Sequence, residues 1–171
     1  MKKIIIAFSA LLMLSAFTLV PVLKSYTGEL YSFKYPDTWL VVPAADSLQI
    51  DLYIYPPDDD DATFNENINI LNRDMEGHQI SLADYDKLSI EEIKKMFADM
   101  KIVSSGEKSG INGKYYDLVY TASYEGMKLK FKQQFMILNG YAFVLTYTAT
   151  AKTYQSFIKD TETIFKSFKR K

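Results

Sequence analysis

Three glycine-containing dipeptides, Asn112-Gly113, Glu125-Gly126 and Asn139-Gly140, separate runs rich in aromatic and β-branched residues. Asn-Gly readily supplies the positive φ angles of a two-residue hairpin turn. Three such turns in succession make consecutive strands neighbours, so Ile102–Thr150 is expected to form a four-stranded antiparallel meander. One strand carries Met127, Leu129, Phe131 and Phe135 on one side, with Lys128, Lys130 and Lys132 on the other. The last strand sets Tyr141, Phe143, Leu145 and Tyr147 against Ala142, Val144, Thr146 and Thr148. Small apolar residues on that second face predict a helix packed there too.

The flanks supply the rest of the architecture. Tyr31, Phe33 and Tyr35 alternate with polar residues up to Pro36-Asp37, and Trp39–Val42 forms a second apolar piece. Leu48, Ile50, Leu52 and Ile54 alternate with Gln49, Asp51, Tyr53 and Tyr55. This is the period-two pattern of a strand with one apolar face. Phe64, Ile68 and Ile70 define the next strand, opposite Asn65, Asn67 and Asn69. Ser81 reads as the N-cap of a helix reaching about Met100, with Leu82, Tyr85, Ile93, Met96, Phe97 and Met100 as its apolar stripe. A terminal helix from about Lys152 aligns Tyr154, Phe157, Ile158, Thr161, Phe165 and Phe168 at three- and four-residue steps. Ser104–Gly110, with its Gly and Ser residues, reads as a turn. The expected class is α+β: an antiparallel sheet with a four-stranded meander, packed by helices.

The run Tyr31-Ser-Phe-Lys-Tyr-Pro-Asp-Thr-Trp39 resembles the opening strand of PsbP-like proteins. Phe64-Asn-Glu-Asn-Ile-Asn-Ile70 is similar to the Asn-rich strand of the related DcrB group, and Gly113-Lys-Tyr-Tyr116 and Ser167-Phe168 fit the same pattern. The resemblance spans almost all of Tyr31–Phe168 and implies the PsbP-like α/β/α sandwich. It further implies a non-enzymatic binding or assembly protein. No photosystem-binding residue of the plant member can be matched to a position here.

Location is read from the beginning of the chain. Lys2 and Lys3 precede a stretch without charged side chains from Ile4 to Leu23, closed by Lys24. This is the layout of an export signal. Residues 1–24 are therefore expected to be a signal peptide or an N-terminal anchor, and 25–171 a single domain outside the cytoplasm, in the periplasm or beyond. Ala16 and Ser25 are the candidate last residues of the signal, though Leu14 and Leu23 are large where small residues are preferred. Any membrane attachment would run through this segment alone, because the chain has no cysteine to carry a lipid.

Charge and chemistry narrow the function. Without its three N-terminal lysines the chain has 17 basic and 21 acidic residues, a net charge near −4. That balance argues against nucleic acid. A cysteine-free chain with one histidine, His78, lacks the usual ligands and nucleophiles, so no catalytic residue and no cofactor is expected. Asp58, Asp59, Asp60 and Asp61 are weak candidates for Ca²⁺ or Mn²⁺. Four adjacent carboxylates cannot all face one ion, and a solvated loop is the plainer account. His78 lies beside Glu76 and near Asp74, a set that suits either a mixed His/carboxylate site for a divalent metal or a plain surface loop, and with a single histidine the surface loop is the better reading. Tyr53 and Tyr55, together with Tyr115, Tyr116, Tyr120, Tyr124, Tyr141 and Tyr147, either line a ligand groove or pack as sheet core. Lys128, Lys130 and Lys132 form a row that either meets an acidic protein partner or solvates a strand face. The expected function is thus an exported binding or assembly module for a protein partner, with weak metal binding or small-ligand binding as alternatives.

Overall fold

The computed structural model describes residues 21–44, 50–57 and 64–171. The N-terminal segment up to residue 20, Leu48 and Asp58–Asp61 lie outside these residues. The described elements are β1 (Leu23–Thr27), β2 (Tyr31–Pro36), β3 (Leu40–Pro43), β4 (Leu52–Tyr55), β5 (Asn67–Asp74), α1 (Leu82–Met96), β6 (Lys101–Gly110), β7 (Gly113–Tyr124), β8 (Met127–Leu138), β9 (Tyr141–Thr150), α2 (Tyr154–Ser167) and β10 (Lys169–Arg170).

Seven strands form one antiparallel sheet in the order β3-β4-β5-β9-β8-β7-β6. The meander is its larger half. Glu125 and Asn139 take φ of 48° and 50°, followed by Gly126 and Gly140 at 79° and 80°. These successive positive angles match the twist of the flanking strands. The first turn differs from expectation. Gly110 pairs with Gly113, so the turn residues are Ile111 and Asn112 and only Gly113 has positive φ. The Ser104–Gly110 stretch is likewise strand, not turn, because β7 supplies a ladder along its whole length.

The sheet buries two different faces. Ile68 and Ile70 of β5, with Phe143, Leu145, Tyr147 and Ala149 of β9, meet α2 and the aromatic strand β2. On the opposite face Leu118, Tyr120, Leu129, Phe131 and Phe135 lie under α1. This gives the α/β/α layering. Residues of β2 do not extend the main sheet. β2 pairs with β1 and with the two-residue β10 in a separate three-stranded sheet laid over Phe143 and Phe168. Of the expected terminal stripe Tyr154, Thr161, Phe165 and Phe168 are buried and Phe157 and Ile158 half-buried, and Ile164, outside that stripe, is buried with them.

Helix α1 starts where Ser81 Oγ accepts from the Asp84 backbone N–H at 3.1 Å. It ends at Met96, a turn earlier than its sequence stripe, with Phe97 capping it. Leu82, Tyr85, Ile90 and Ile93 are half-buried, Met96 of the expected stripe is instead exposed because the helix ends there, and the one buried residue is Asp86. Burial pushes the Asp86 carboxyl up to about 6, against a weaker lowering by the Tyr116 hydroxyl. Oδ1 has no hydrogen-bond partner among the described residues. As pH rises from about 4 to 6 the unfolded chain loses this proton before the folded one does, so stability falls across that window. Asp86→Asn is accordingly expected to stabilise the domain at pH 7.5 by about 1–2 kcal/mol and to change little below pH 4. Urea denaturation at the two pH values checks it.

Candidate functional site

A cleft of about 1210 Å³ lies where the small sheet meets the β4–β5 end of the large one. Segments distant in sequence build it: the β1–β2 turn brings Glu29, the start of β4 brings Asp51, and the end of β5 brings Asn72 and Asp74. The turn Met75-Glu76-Gly77-His78 closes one side. Glu76 and Gly77 take positive φ there, at 48° and 78°, and Asp74 Oδ1 accepts the Glu76 N–H at 2.8 Å. The Met75 N–H donates to the Gly140 carbonyl at 2.9 Å, which fastens this turn to the β8–β9 hairpin.

Asp51 is the fixed point of the cleft. Its backbone N–H donates to Ile70 and its carbonyl accepts from Ala44, so the main chain cannot swing. Oδ2 accepts the Tyr31 hydroxyl at 3.1 Å and the Asn72 side-chain amide. Burial first, and then the Asp51 charge, push the Tyr31 hydroxyl far above its ordinary range. Tyr31 is therefore a permanent donor, and Asp51 is held as an acceptor. Around this floor Glu29, Asp74 and Glu76 are solvent-exposed. Arg73 lines the same depression, so its charge is mixed, but four carboxylates outnumber the one guanidinium and leave it acidic on balance. Its carboxylates and His78 do not converge: among the described residues no group of three or more His, Asp or Glu side chains is disposed to hold a metal ion.

The sequence-derived candidates fall elsewhere. Tyr53 and Tyr55 stack on one another at 5.8 Å between ring centroids, half-buried on the β4 face away from α2. Tyr120 and Tyr147 are buried in opposite faces of the sheet, so the tyrosines as a set share no groove. The lysine row is also split. Lys128 is exposed, and Lys130 Nζ sits 4.3 Å from the centre of the Tyr154 ring. Lys132, 5% exposed, does not lie on a solvated strand face. It binds Asp117 Oδ1 at 2.6 Å and Glu162 Oε1 at 3.1 Å beneath α2. Asp117 also meets Lys108 at 2.6 Å, and Glu162 meets Lys166 at 3.2 Å. Among the described residues, nothing in the local patterns around Glu29, Asp51 and Asp74 marked them as partners; their assembly depends on the pairing of the two sheets.

No family model and no curated relative matches the sequence. The fold, in contrast, has clear structural counterparts. The solution structure of cyanobacterial PsbP (CyanoP) from Synechocystis sp. PCC 6803 superposes with a TM-score of 0.68 at 12% identity, covering 91% of this chain and 96% of that one. LpqN of Mycobacterium tuberculosis, described as involved in cell envelope biogenesis, gives 0.64 at 12% identity over 86% and 91%. PA94 of Pseudomonas aeruginosa, a protein of unknown function, gives 0.52 at 16% identity over 80% and 89%. The fold is PsbP-like.

Proposed function

We propose that this protein is an exported, non-enzymatic binding or assembly module of the cell envelope, and that the acidic cleft takes a basic segment of a protein partner. The observation that carries the reading is Asp51. Its carboxylate is locked as an acceptor at the floor of an open cleft whose rim, Glu29, Asp74 and Glu76, is acidic and exposed. A fixed acceptor flanked by exposed carboxylates, which outnumber the one lining arginine, suits lysine or arginine side chains, with the rim charges steering encounter. LpqN, of similar fold, is described as acting in envelope biogenesis, which supports the same setting for this chain. Export is supported by the lysines and apolar segment that precede the domain.

Strand β1 bears on where a signal would be removed. Leu23 and Lys24 pair with Pro36 and Tyr35 of β2. Cutting after Ser25 would divide this strand, whereas cutting after Ala16 leaves it whole. Fusing Met1–Leu30 to a reporter active only outside the cytoplasm tests export, and an inactive reporter would sink it.

The cleft is tested by placing a photo-crosslinking residue at Glu29 and at Glu76 in cells. Both positions are expected to trap the same discrete protein, and a control at Lys87 on α1 none. Asp74→Lys combined with Glu29→Lys is expected to reduce affinity for that isolated protein at least tenfold, through added repulsion at the rim. Failure to trap a common protein from the two rim positions would refute the assignment.

A further inference from the structure

A second cavity, of about 360 Å³, lies on the far side of α2, between the β6–β7 turn, β8 and the last turns of the helix. Its walls are mostly apolar: Ile111, Tyr115, Met136 and Phe165. Ser109, Asn112 and Gln134 interrupt them with polar side chains. Gln134 is 4% exposed and lines this cavity, and its carboxamide makes no hydrogen bond among the described residues. Its neighbours across the strand are occupied, because Asp117 and Lys132 are engaged with each other.

Charge provides an independent pointer. Lys114 and Lys166 stand on the cavity rim. Each already has one carboxylate partner, Glu107 at 2.6 Å and Glu162 at 3.2 Å, but both lysine side chains are about 70% exposed. Such exposed pairs are weak and leave the ammonium free to take another anion. Asn112, at the tip of the turn, binds the Phe168 carbonyl and the Arg170 N–H. That contact brings Lys169, Arg170 and Lys171 to the same end of the molecule. In a chain of net negative charge this end is locally basic.

We propose that this cavity binds a small monocarboxylate with an apolar body. The apolar group fills the space between Ile111, Tyr115, Met136 and Phe165, Gln134 supplies the hydrogen bond at depth, and Lys114 and Lys166 hold the carboxylate at the mouth. A cavity of this size with few convergent polar groups is typical of small-molecule sites. The site is distinct from the acidic cleft and does not depend on what the cleft binds.

The test is ¹H–¹⁵N NMR titration of the domain with 4-phenylbutyrate, with 4-phenylbutanol and 4-phenylbutylamine as charge controls. Saturable shifts are expected at the Gln134 side-chain amide and along Ile111–Tyr115 with the carboxylate. The alcohol is expected to bind at least fivefold more weakly and the amine not measurably. Lys114→Gln with Lys166→Gln removes both rim charges without placing a like charge beside Glu107 or Glu162 and is expected to weaken the carboxylate at least tenfold, while Gln134→Leu abolishes the localised shifts. Should Gln134→Leu prove unstable, the lysine pair still decides. Shifts that do not saturate, equal binding of acid and amine, or indifference to the lysine substitutions would each overturn the proposal.

Discussion

Asp117→Ala is expected to lower the unfolding free energy by about 3–5 kcal/mol, because it leaves Lys132 buried under α2 with Glu162 as its remaining partner. The size follows from the geometry. Asp117 is 4% exposed and takes both Lys108 and Lys132 at 2.6 Å. Burial alone would raise its carboxyl, but hydrogen bonds from the two lysines and their charge outweigh that and hold it below the ordinary range. Glu162 behaves alike, with Lys132 and Lys166 overcoming its burial. Both carboxyls are depressed in the folded state. Their stabilisation is present above the usual carboxylate range and is lost as pH falls below about 4 through the folded values. Urea denaturation of the wild type from pH 7 to 3 should show that loss, and Asp117→Ala should flatten it. Replacing both partners, Asp117→Ala with Lys132→Met, is expected to recover much of the deficit, since an apolar pair avoids stranding a charge. A double variant as unstable as Asp117→Ala would show that Lys132 is not the source of the cost.

Phe168→Ala is expected to cost about 3–5 kcal/mol, the range for removing a buried aromatic ring. Phe168 is fully buried, with its ring 5.1 Å from Tyr31 and 5.5 Å from Phe143. It therefore joins α2, the small sheet and the large sheet at one point. Phe168→Leu keeps most of the volume and should cost markedly less. Chemical denaturation of the two variants separates ring packing from the backbone tie, because the Asn112 amide bonds the Phe168 carbonyl whatever the side chain. Equal losses for Ala and Leu would remove the packing explanation. Deleting Lys152–Lys171 takes away this ring and the whole buried stripe of α2, and the remaining chain is expected to aggregate.

How far the sequence could be read depended on whether a pattern was local. Alternation within Tyr31–Tyr35, the helical steps from Tyr154 to Phe168 and the turns at Glu125-Gly126 and Asn139-Gly140 all report on neighbours in the chain and appear in the structure, while the first turn falls one residue earlier, at Ile111-Asn112. Lys128, Lys130 and Lys132 show the limit. Period two places them on one face, but only the return of Glu162 and Tyr154 over that face decides which of them is buried. Ser104–Gly110 has poor intrinsic strand propensity and becomes β6 because β7 lies beside it. Asp51 lay on the polar side of an alternating run, indistinguishable there from Gln49 or Tyr53. Its role emerged from Tyr31 and Asn72, about 20 residues to either side, meeting its carboxylate.

The small sheet has a consequence for how the chain becomes a folded object. β2 is flanked by β1 from one end of the domain and by β10 from the other, and the Lys34 N–H donates to Ser167 Oγ at 2.8 Å across 133 residues. The hairpins of the meander can close as soon as they are made, since their contacts are short in sequence. β2 can pair early with β1, its neighbour in the chain, but its other edge cannot close, because loop closure over nearly the whole described chain comes at an entropic cost that is repaid only when Phe168 and β10 arrive. In synthesis from the N-terminus, the β1–β2 hairpin emerges long before β10 and keeps its second edge open until α2 and β10 follow. The C-terminal tail is thus the clasp of this molecule, and completion of the chain is the event that locks its beginning in place.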